Sequence, residues 1–233
     1  MSENLSAEEL KQLCRWSTCT VSNAIELFDV RPKTEGYMSP QIQCLFPELE
    51  PMIGYAVTAK ISAASPGDHQ ISREKWWEEI LKMPAPRVIV THDIDSPVIG
   101  SFWGEVQANV HRALGCIAAV TDGAVRDLDE VKDLKFHLFS SCVAVSHAYV
   151  HLLDIGIPVE VGGLIVQPGD LIMGDKHGVI SVPLEIARDV PAAAKLVEDW
   201  EQVVIKYCKS KDFSLEGLKE RIGAAMPVWT PQK

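Results

Sequence analysis

The apolar positions in the middle of the chain change their spacing twice, which predicts a strand, a helix and a second strand. Residues 87–95 (RVIVTHDID) open with a β-branched run that is typical of a buried strand. Residues 104–114 carry apolar side chains at helical spacing, and residues 116–120 (CIAAV) form another short apolar run. The apolar face of the helix is expected to consist of Val106, Val110, Ala113 and Leu114. We therefore expect a βαβ unit with a right-handed crossover, in which Gly115 ends the helix.

The same patterns place most of the remaining elements. Five helices are predicted. The first starts at the capping box of residues 6–9, the second runs from a cap at Thr20 or Ser22 to Leu27, and the others cover residues 73–83, 184–209 and 214–225. Pro191 is expected to interrupt the helix over residues 184–209. The predicted strands cover residues 55–61, 141–146, 171–174 and 179–182, and a hairpin over residues 159–166 turns at Gly162-Gly163. We expect one α/β domain over residues 1–233, with a C-terminal helical extension at about residues 184–226.

The two ends of the segment from Gly104 to Asp127 are predicted to form one site. In a βαβ unit, the start of the helix and the loop after the second strand lie at the same edge of the sheet. Gly104 and Glu105 should therefore lie beside Arg126 and Asp127, although they are distant in sequence. Open α/β sheets bind ligands in the crevice at the carboxyl ends of parallel strands.

The chemistry of these residues fits an anionic ligand beside a metal ion. A helix start offers unpaired amides to an anion, and Gly104 would let the ligand approach closely. Arg126 has a planar guanidinium that matches a carboxylate, while Asp127 and Glu105 supply hard oxygen ligands for Mg²⁺ or Mn²⁺. A 2-oxo acid could use both features. The alternative is a surface ion pair or a helix cap formed by Arg126 and Asp127.

Composition and charge narrow the function classes. The chain has 233 residues, of which 47% are hydrophobic, and a formal net charge of −10. This balance disfavours nucleic acid and anionic membrane surfaces as partners. The first residues lack a signal-peptide pattern and no run is long enough to span a membrane, so a cytoplasmic protein is expected. The six cysteines show no C-x-x-C spacing, which disfavours a zinc site, and Cys116 and Cys142 are expected in the core.

Several motifs carry a family resemblance. Gly104-Glu105 followed by residues 122–127 (DGAVRD) resembles the G-E…D-G-x-x-R-D pattern of the RraA-like proteins and class II 4-hydroxy-4-methyl-2-oxoglutarate/4-carboxy-4-hydroxy-2-oxoadipate aldolases. Other motifs resemble those of the family and occur in the same order along the chain: TCTVSNA (18–24), GYAVT (54–58), PGD (66–68), and PGD (168–170) followed by Asp175 and HGV (177–179). The resemblance spans roughly residues 10–185.

The resemblance implies a fold, an assembly and a site. The implied fold is an αββα sandwich of the swivelling phosphohistidine-domain type, assembled as a homotrimer or homohexamer. The residues implied to hold pyruvate, or the pyruvyl part of the substrate, are Gly104, Glu105, Val106, Gln107 and Arg126. Asp127 would bind the divalent metal directly and Glu105 would bind it through water. A further acidic ligand, Glu201 or Glu198, would come from the C-terminal helix of a neighbouring subunit.

Three functions remain open at this point. The first is a metal-dependent lyase that cleaves a 4-hydroxy-2-oxo acid to pyruvate and also decarboxylates oxaloacetate. The second, also implied by the resemblance, is a non-catalytic regulator that binds and masks a ribonuclease. The third is a related metal enzyme, such as a dehydratase, acting on a sugar acid. The residues that suggest a shifted substrate are Asn23, His69 and Trp76-Trp77, which depart from the family pattern, and His177.

Other polar residues are candidates for supporting roles. His92, Asp93, Asp95 and Asp122 follow strands at the predicted ligand edge. His147 and His151 would share a face only if their segment were helical, and the resemblance places His147 at the end of a strand instead. His177, beside Asp175 in a turn, is a candidate acid or base, although a plain surface histidine is the alternative.

Overall fold

A computed structural model describes residues 4–67, 71–223 and 228–230 of the chain, which form a mixed α/β fold. The helices are α1 (Ala7–Leu13), α2 (Thr18–Glu26), α3 (Arg73–Lys82), α4 (Glu105–Ala113), α5 (Leu128–Asp133), α6 (Val190–Cys208) and α7 (Leu215–Ile222). The strands are β1 (Gln43–Cys44), β2 (Met52–Ser62), β3 (Arg87–Asp93), β4 (Ser101–Trp103), β5 (Cys116–Thr121), β6 (Ala124–Val125), β7 (His137–Ser140), β8 (Cys142–Val143), β9 (His151–Ile155), β10 (Val159–Val161), β11 (Leu164–Val166), β12 (Leu171–Asp175) and β13 (Gly178–Val182). No helix among these residues has the length and apolarity needed to cross a bilayer.

One eight-stranded sheet organises the molecule. Its strand order is β1-β7-β5-β3-β2-β12-β13, and β9 pairs with β2 outside this path. The pairs β2–β3, β3–β5 and β5–β7 are parallel, whereas β1, β9, β12 and β13 pair antiparallel with their neighbours. A second sheet of three short strands, β4-β6-β8, carries the two segments that the sequence predicts as the site.

Strand β2 lies at the centre of the core and is buried over almost its whole length. Such continuous burial is typical of a strand with parallel neighbours and covered faces. Tyr55 packs in an apolar cluster with α1, α2 and α6, and Val57 packs in a second cluster with α3, α4 and α5. Ala56 belongs to a third cluster, which includes the hairpin of β10 and β11.

The predicted strand–helix–strand arrangement is confirmed, but the predicted apolar face of its helix is only partly right. β3 and β5 pair in parallel with α4 between them in sequence, and Gly115 follows α4 with a left-handed φ of +77°. The residues of α4 that are buried are Ala108 and His111. Val106 is 72% exposed, because this first turn borders an open cavity rather than the core.

The predicted strand over residues 141–146 is wrong in most of its length. Only Cys142–Val143 pairs, as the short strand β8, and Cys142 is exposed instead of lying in the core. The buried strand of this region is β7 (His137–Ser140), which pairs with β5 on one side and β1 on the other. Cys116 is buried as predicted.

Several helix boundaries differ from the prediction. Ser6 forms the predicted capping box with Glu9. Helix α2 is capped by Ser17, whose side chain accepts a hydrogen bond from the Thr20 amide, and not by Thr20 or Ser22. Helix α6 begins at Val190 after a stretch of turns, with proline in its first turn, where the missing N–H costs no helical hydrogen bond.

Candidate functional site

The structure brings the two predicted segments together at the start of α4. The Arg126 amide donates to the Trp103 carbonyl at 2.9 Å, where β4 and β6 pair in parallel. The Glu105 amide, the first of α4, donates to Asp127 Oδ2 at 2.9 Å. The predicted proximity of Gly104-Glu105 and Arg126-Asp127 is therefore correct.

Gly104 is required because Arg126 and Asp127 leave no room for a side chain at this position. Its φ of −166° is extended backbone that any residue can adopt, so conformation is not the reason. A Cβ at this position would lie 2.5 Å from Asp127 Oδ2 and 3.1 Å from Arg126 Cγ. Gly104 therefore makes room for Arg126 and Asp127; the close approach of a ligand, which the sequence analysis expected of it, stays a prediction.

Asp127 is held in an unusual conformation. Its φ of +54° lies in the left-handed region, which residues other than glycine adopt rarely and mostly where the surroundings impose it. It precedes α5 at the N-cap position but makes no capping hydrogen bond to that helix. Its carboxylate instead bonds the first amide of α4 and lies 3.6 Å from Arg126 Nε. The ion pair of the alternative interpretation exists, but Asp127 is not a cap of its own helix.

A cavity of about 390 Å³ opens beside these residues. Its walls include Arg73, Arg126, Asp127, His147 and Tyr149, together with the first turn of α4 at Gly104, Val106 and Gln107. The amides of Val106 and Gln107 have no hydrogen-bond partner among the described residues. Two arginines and the two unpaired first-turn amides outweigh the single carboxylate, that of Asp127, in the wall of this cavity, which suits a small anion.

Arg73, Tyr149 and Ser101 were not identified from the sequence as parts of this cavity. Arg73 begins α3, which precedes the βαβ unit, so the local strand–helix–strand pattern carries no information about its position. His147 was expected on a helix with His151 or, by the resemblance, at the end of a strand, whereas it lies in a loop. The loop that carries His147 and Tyr149 joins β8 to β9; the sequence pattern placed a longer strand over residues 141–146 and did not predict β9.

The two carboxylates predicted to hold a metal, Asp127 in the cavity wall and Glu105 at the start of α4, have free oxygen atoms. Asp127 Oδ1 has no hydrogen-bond partner in the described part of the chain, and the Glu105 side chain is exposed and also unpartnered there. Within the described ranges, no three histidine, cysteine, aspartate or glutamate side chains converge as a metal site. Glu201 Oε1 accepts a hydrogen bond from Asn23 Nδ2 at 3.3 Å within the chain, whereas Glu198 has no partner among the described residues.

The other acidic residues of the sheet edge form a separate cluster. His92 Nδ1 lies 2.6 Å from Asp122 Oδ2, and the Asp93 amide donates to Asp122 Oδ1 at 2.7 Å. Asp95 accepts hydrogen bonds from Ser62 and Ala63. His92 and Asp122 border a different cavity, of about 710 Å³, so the structure does not bring this cluster to Arg126.

Asp93 is the most perturbed acid of this cluster. Its side chain is 6% exposed, and Oδ2 has no hydrogen-bond partner among the described residues. Burial raises the pKa of Asp93 to about 6, and repulsion from Asp95 and Asp122 adds to this rise, while the Asp95 amide opposes it. Asp93 therefore holds a proton more readily than an ordinary aspartate.

His177 is bound to a neighbour outside the arginine-lined cavity. Its Nδ1 lies 3.1 Å from Asp175 Oδ1, and Asp175 also accepts from the Thr18 amide and hydroxyl. His177 borders a small cavity with Cys19. Asp68 and His69, which the sequence analysis singled out, lie outside the described residues.

Comparisons with known proteins identify the family of the chain. The family model described as RraA-like, Aldolase/RraA, matches residues 18–181. Among relatives, the chain is 27% identical over 150 residues to the "Putative 4-hydroxy-4-methyl-2-oxoglutarate aldolase" of Halalkalibacterium halodurans, which covers 64% of this chain and 67% of that protein. It is 31% identical over 103 residues to an uncharacterized Methanocaldococcus jannaschii protein, covering 44% of this chain and only half of the relative.

Two solved structures share the fold. An uncharacterized protein from Pseudomonas syringae superposes with a TM-score of 0.72 at 24% identity, covering 94% of this chain and 96% of that one. RraAS2 of Streptomyces coelicolor, described as an unusual member of the RNase ES inhibitor RraA family, superposes with a TM-score of 0.68 at 22% identity, covering 87% and 98%. The family model spans more than half of the chain, and this protein belongs to the RraA-like family.

Proposed function

We propose that this protein is a divalent-metal-dependent carbon–carbon lyase that cleaves a 4-hydroxy-2-oxo acid and releases pyruvate. The observation that carries the proposal is the meeting of Arg126, the free first-turn amides of α4 and the fixed Asp127 carboxylate in one cavity. A 2-oxo acid presents a carboxylate and a keto oxygen side by side, which matches an anion cradle beside a carboxylate. Kinship with a relative named as an aldolase supports the same reaction class.

Asp127 in the cavity wall and Glu105, between the lining residues Gly104 and Val106, are suited to hold Mg²⁺ or Mn²⁺. Asp127 Oδ1 and the Glu105 carboxylate are free oxygen ligands, and Mg²⁺ in enzymes is commonly held by one or two carboxylates plus waters and substrate oxygens. We propose that Asp127 holds the ion directly and Glu105 holds it through water. When bound, the ion supplies positive charge for the enolate oxygen that develops as the carbon–carbon bond breaks.

The protein groups orient the substrate. The Arg126 guanidinium and the amides of Val106 and Gln107 bind the carboxylate of the pyruvyl part, as a planar fork and a helix start do in anion sites. The Glu105 amide fixes Asp127 by its 2.9 Å hydrogen bond, so the carboxylate keeps one orientation before substrate arrives. The same electron flow into the keto group would release CO₂ from oxaloacetate.

We propose that the active assembly is a homotrimer or homohexamer, in which Glu201 or Glu198 of a neighbouring copy completes the metal site. Exposed apolar side chains near the cavity support a covering copy, with Val106 72%, Val143 54% and Val145 94% exposed. The αββα fold type, the single domain with its helical extension, and a cytoplasmic location without nucleic-acid or membrane partners stay predictions.

The first test is pyruvate release from 4-hydroxy-4-methyl-2-oxoglutarate and from oxaloacetate, with Mg²⁺ or Mn²⁺ and with EDTA. Arg126→Ala and Asp127→Ala should each lose at least about 10²-fold in kcat/KM. Arg112→Ala on the exposed end of α4 and Asp129→Ala on α5 are matched controls and should retain activity. Metal-dependent turnover that survives in both site variants would contradict the proposed site.

The alternatives have distinct outcomes in the same experiment. Calorimetric Mn²⁺ binding that Asp127→Ala abolishes, without turnover of either compound, would favour an enzyme acting on a sugar acid. No metal binding at all would refute the lyase and favour a regulator that binds ribonuclease. Direct binding of the full chain to a ribonuclease would then be measured, with the Arg126→Ala variant for comparison.

A further inference from the structure

His147 lies in the wall of the arginine-lined cavity, on a loop that β4 holds in place. The Ser101 amide donates to the Ser146 carbonyl at 2.9 Å, and the Ser101 hydroxyl donates to the Ala144 carbonyl at 2.8 Å. Arg126 Nη1 lies 3.5 Å from the carbonyl of Val145 in the same loop. The loop therefore has a defined position beside the proposed carboxylate-binding arginine.

The backbone next to His147 is constrained. Ala148 has a φ of +45°, in the left-handed region that alanine rarely adopts. Gly100 makes room for this turn, because a Cβ there would lie 2.7 Å from the His147 carbonyl oxygen and 3.0 Å from Ala148 Cβ. Strained residues of this kind cluster at functional sites, where the surroundings impose the conformation.

One hydrogen bond determines which ring nitrogen of His147 is free. Nδ1 lies 2.7 Å from the Ala148 carbonyl oxygen, which can only accept, so Nδ1 carries the hydrogen. In the neutral ring, Nε2 then has a lone pair, and it has no partner among the described residues. His111 makes a similar Nδ1 bond, but its Nε2 accepts from Trp76 and its side chain is fully buried.

The charged and titratable groups that line the cavity with His147 come from three elements. They are Arg73 of α3, Arg126 and Asp127 between β6 and α5, and Tyr149 of the same loop. The two arginines would hold substrate carboxylates, and Asp127 is committed to the Glu105 amide and the proposed metal. Among the described groups of the cavity wall that the proposed substrate and metal contacts leave free, His147 offers a nitrogen lone pair that can accept a proton.

We propose that His147 Nε2 is the general base of the reaction, accepting the proton of the substrate's C4 hydroxyl; this inference rests on the proposed lyase function. As the O–H bond breaks, the C4 carbonyl forms, the C3–C4 bond breaks and its electron pair moves into the C2 keto group. The resulting enolate takes a proton at C3 to give pyruvate. That proton comes from water, and His147 returns its own proton to water, so the cycle closes without an added reactant.

The base is needed for one of the two proposed reactions only. Retro-aldol cleavage must remove a hydroxyl proton, whereas oxaloacetate loses CO₂ from a carboxylate that carries no such proton. A change at His147 should therefore separate the two activities, while a change at Arg126, which binds the shared pyruvyl part, should lower both. A purely structural role for His147 would not produce this separation.

The experiment measures both reactions in His147→Gln, Arg126→Ala and the control His177→Gln, whose side chain lies outside the cavity. His147→Gln should lose about 10²–10⁴-fold in kcat for retro-aldol cleavage and keep oxaloacetate decarboxylation within about threefold. His147→Ala should recover part of the retro-aldol rate when imidazole is added. Circular dichroism and thermal unfolding would establish that each variant is folded.

Each outcome has one meaning. Retention of retro-aldol cleavage in His147→Gln, or an equal loss of both activities without imidazole rescue of His147→Ala, would overturn the assignment of the base and leave the lyase standing. Failure of the wild-type protein to turn over either compound would instead overturn the proposed function, and the base assignment with it.

Discussion

Gly104 is the residue at which the smallest chemical change tests the site. Replacing it with alanine places a Cβ 2.5 Å from Asp127 Oδ2, which must move away from the Glu105 amide. A displacement of this kind at a catalytic group can cost about 10²-fold in rate. We expect Gly104→Ala to lose activity by that order in the pyruvate-release assay.

The stability of this variant should change little, because the clash is with the ends of side chains that are about one-third exposed. Urea unfolding should show a loss of about 1 kcal/mol or less. Gly223→Ala at the end of α7, where φ is −71°, is the matched control and should retain full activity. Full activity in Gly104→Ala would show that the Asp127 position is unimportant.

Asp93 should make stability depend on pH. Its folded pKa of about 6 lies above the ordinary 3.8, so the folded state binds the proton more tightly than the unfolded state. The stability that the protonated form provides is present below about pH 4 and is lost as the pH rises through 6. Asp93→Asn, which stays neutral, should gain roughly 3 kcal/mol relative to the wild type between pH 4 and pH 8.

Urea unfolding at several pH values would measure this difference, with the exposed Asp133→Asn as a control that should show almost none. A difference between Asp93→Asn and the wild type that is constant with pH would mean that folding does not change the pKa of Asp93.

The sequence predicted correctly which residues lie close together where one local pattern contained both of them. Gly104, Glu105, Arg126 and Asp127 belong to a single strand–helix–strand segment, whose geometry is nearly fixed by its connectivity. Arg73 reaches the same cavity from an element outside that segment, and no local spacing encodes such a contact.

At the scale of elements, His111 couples α3 to α4. Burial lowers the pKa of His111 to about 4, so the ring is neutral and its Nε2 accepts from Trp76 Nε1 at 2.8 Å. Trp76→Phe would leave this nitrogen buried and unpaired, which costs about 1–3 kcal/mol. We expect that loss in the free energy of unfolding, measured with urea. Trp77→Phe, on the next and only half-buried position, is the control and should cost clearly less.

Helices and strands were predicted correctly from the sequence where the apolar residues are also the buried ones. The hairpin of β10 and β11 was predicted at its observed residues, because two adjacent glycines with φ of +55° and +80° mark its turn. The apolar run at residues 142–145 led to the incorrect prediction of a long buried strand, whereas β8 lies in a small sheet and Val145 is 94% exposed. Strand β7 was not predicted because His137 and Ser140 interrupt its apolar pattern, although the strand is buried between β5 and β1.

At the scale of the whole molecule, the proposed site should be shared between copies of the chain. Arg126 and Asp127 would belong to one copy and the further acidic ligand, Glu201 or Glu198, to its neighbour, as a head-to-tail ring allows. Asp127→Ala and Glu201→Ala should each be inactive alone. When the two are mixed and reassembled in a ring, about one interface in four combines the two intact halves of a site.

We therefore expect the mixture to recover up to about a quarter of the wild-type rate of pyruvate release. Glu198→Ala is mixed with Asp127→Ala in the same way. The glutamate variant that restores activity in such a mixture identifies which glutamate is the metal ligand. Glu201→Ala also loses the hydrogen bond from Asn23, so its oligomeric state and unfolding must be compared with those of Glu198→Ala before the rates are interpreted. If the inactive glutamate variants assemble normally with Asp127→Ala but restore no activity, the acidic ligand and Asp127 act within the same chain, and the shared site is refuted.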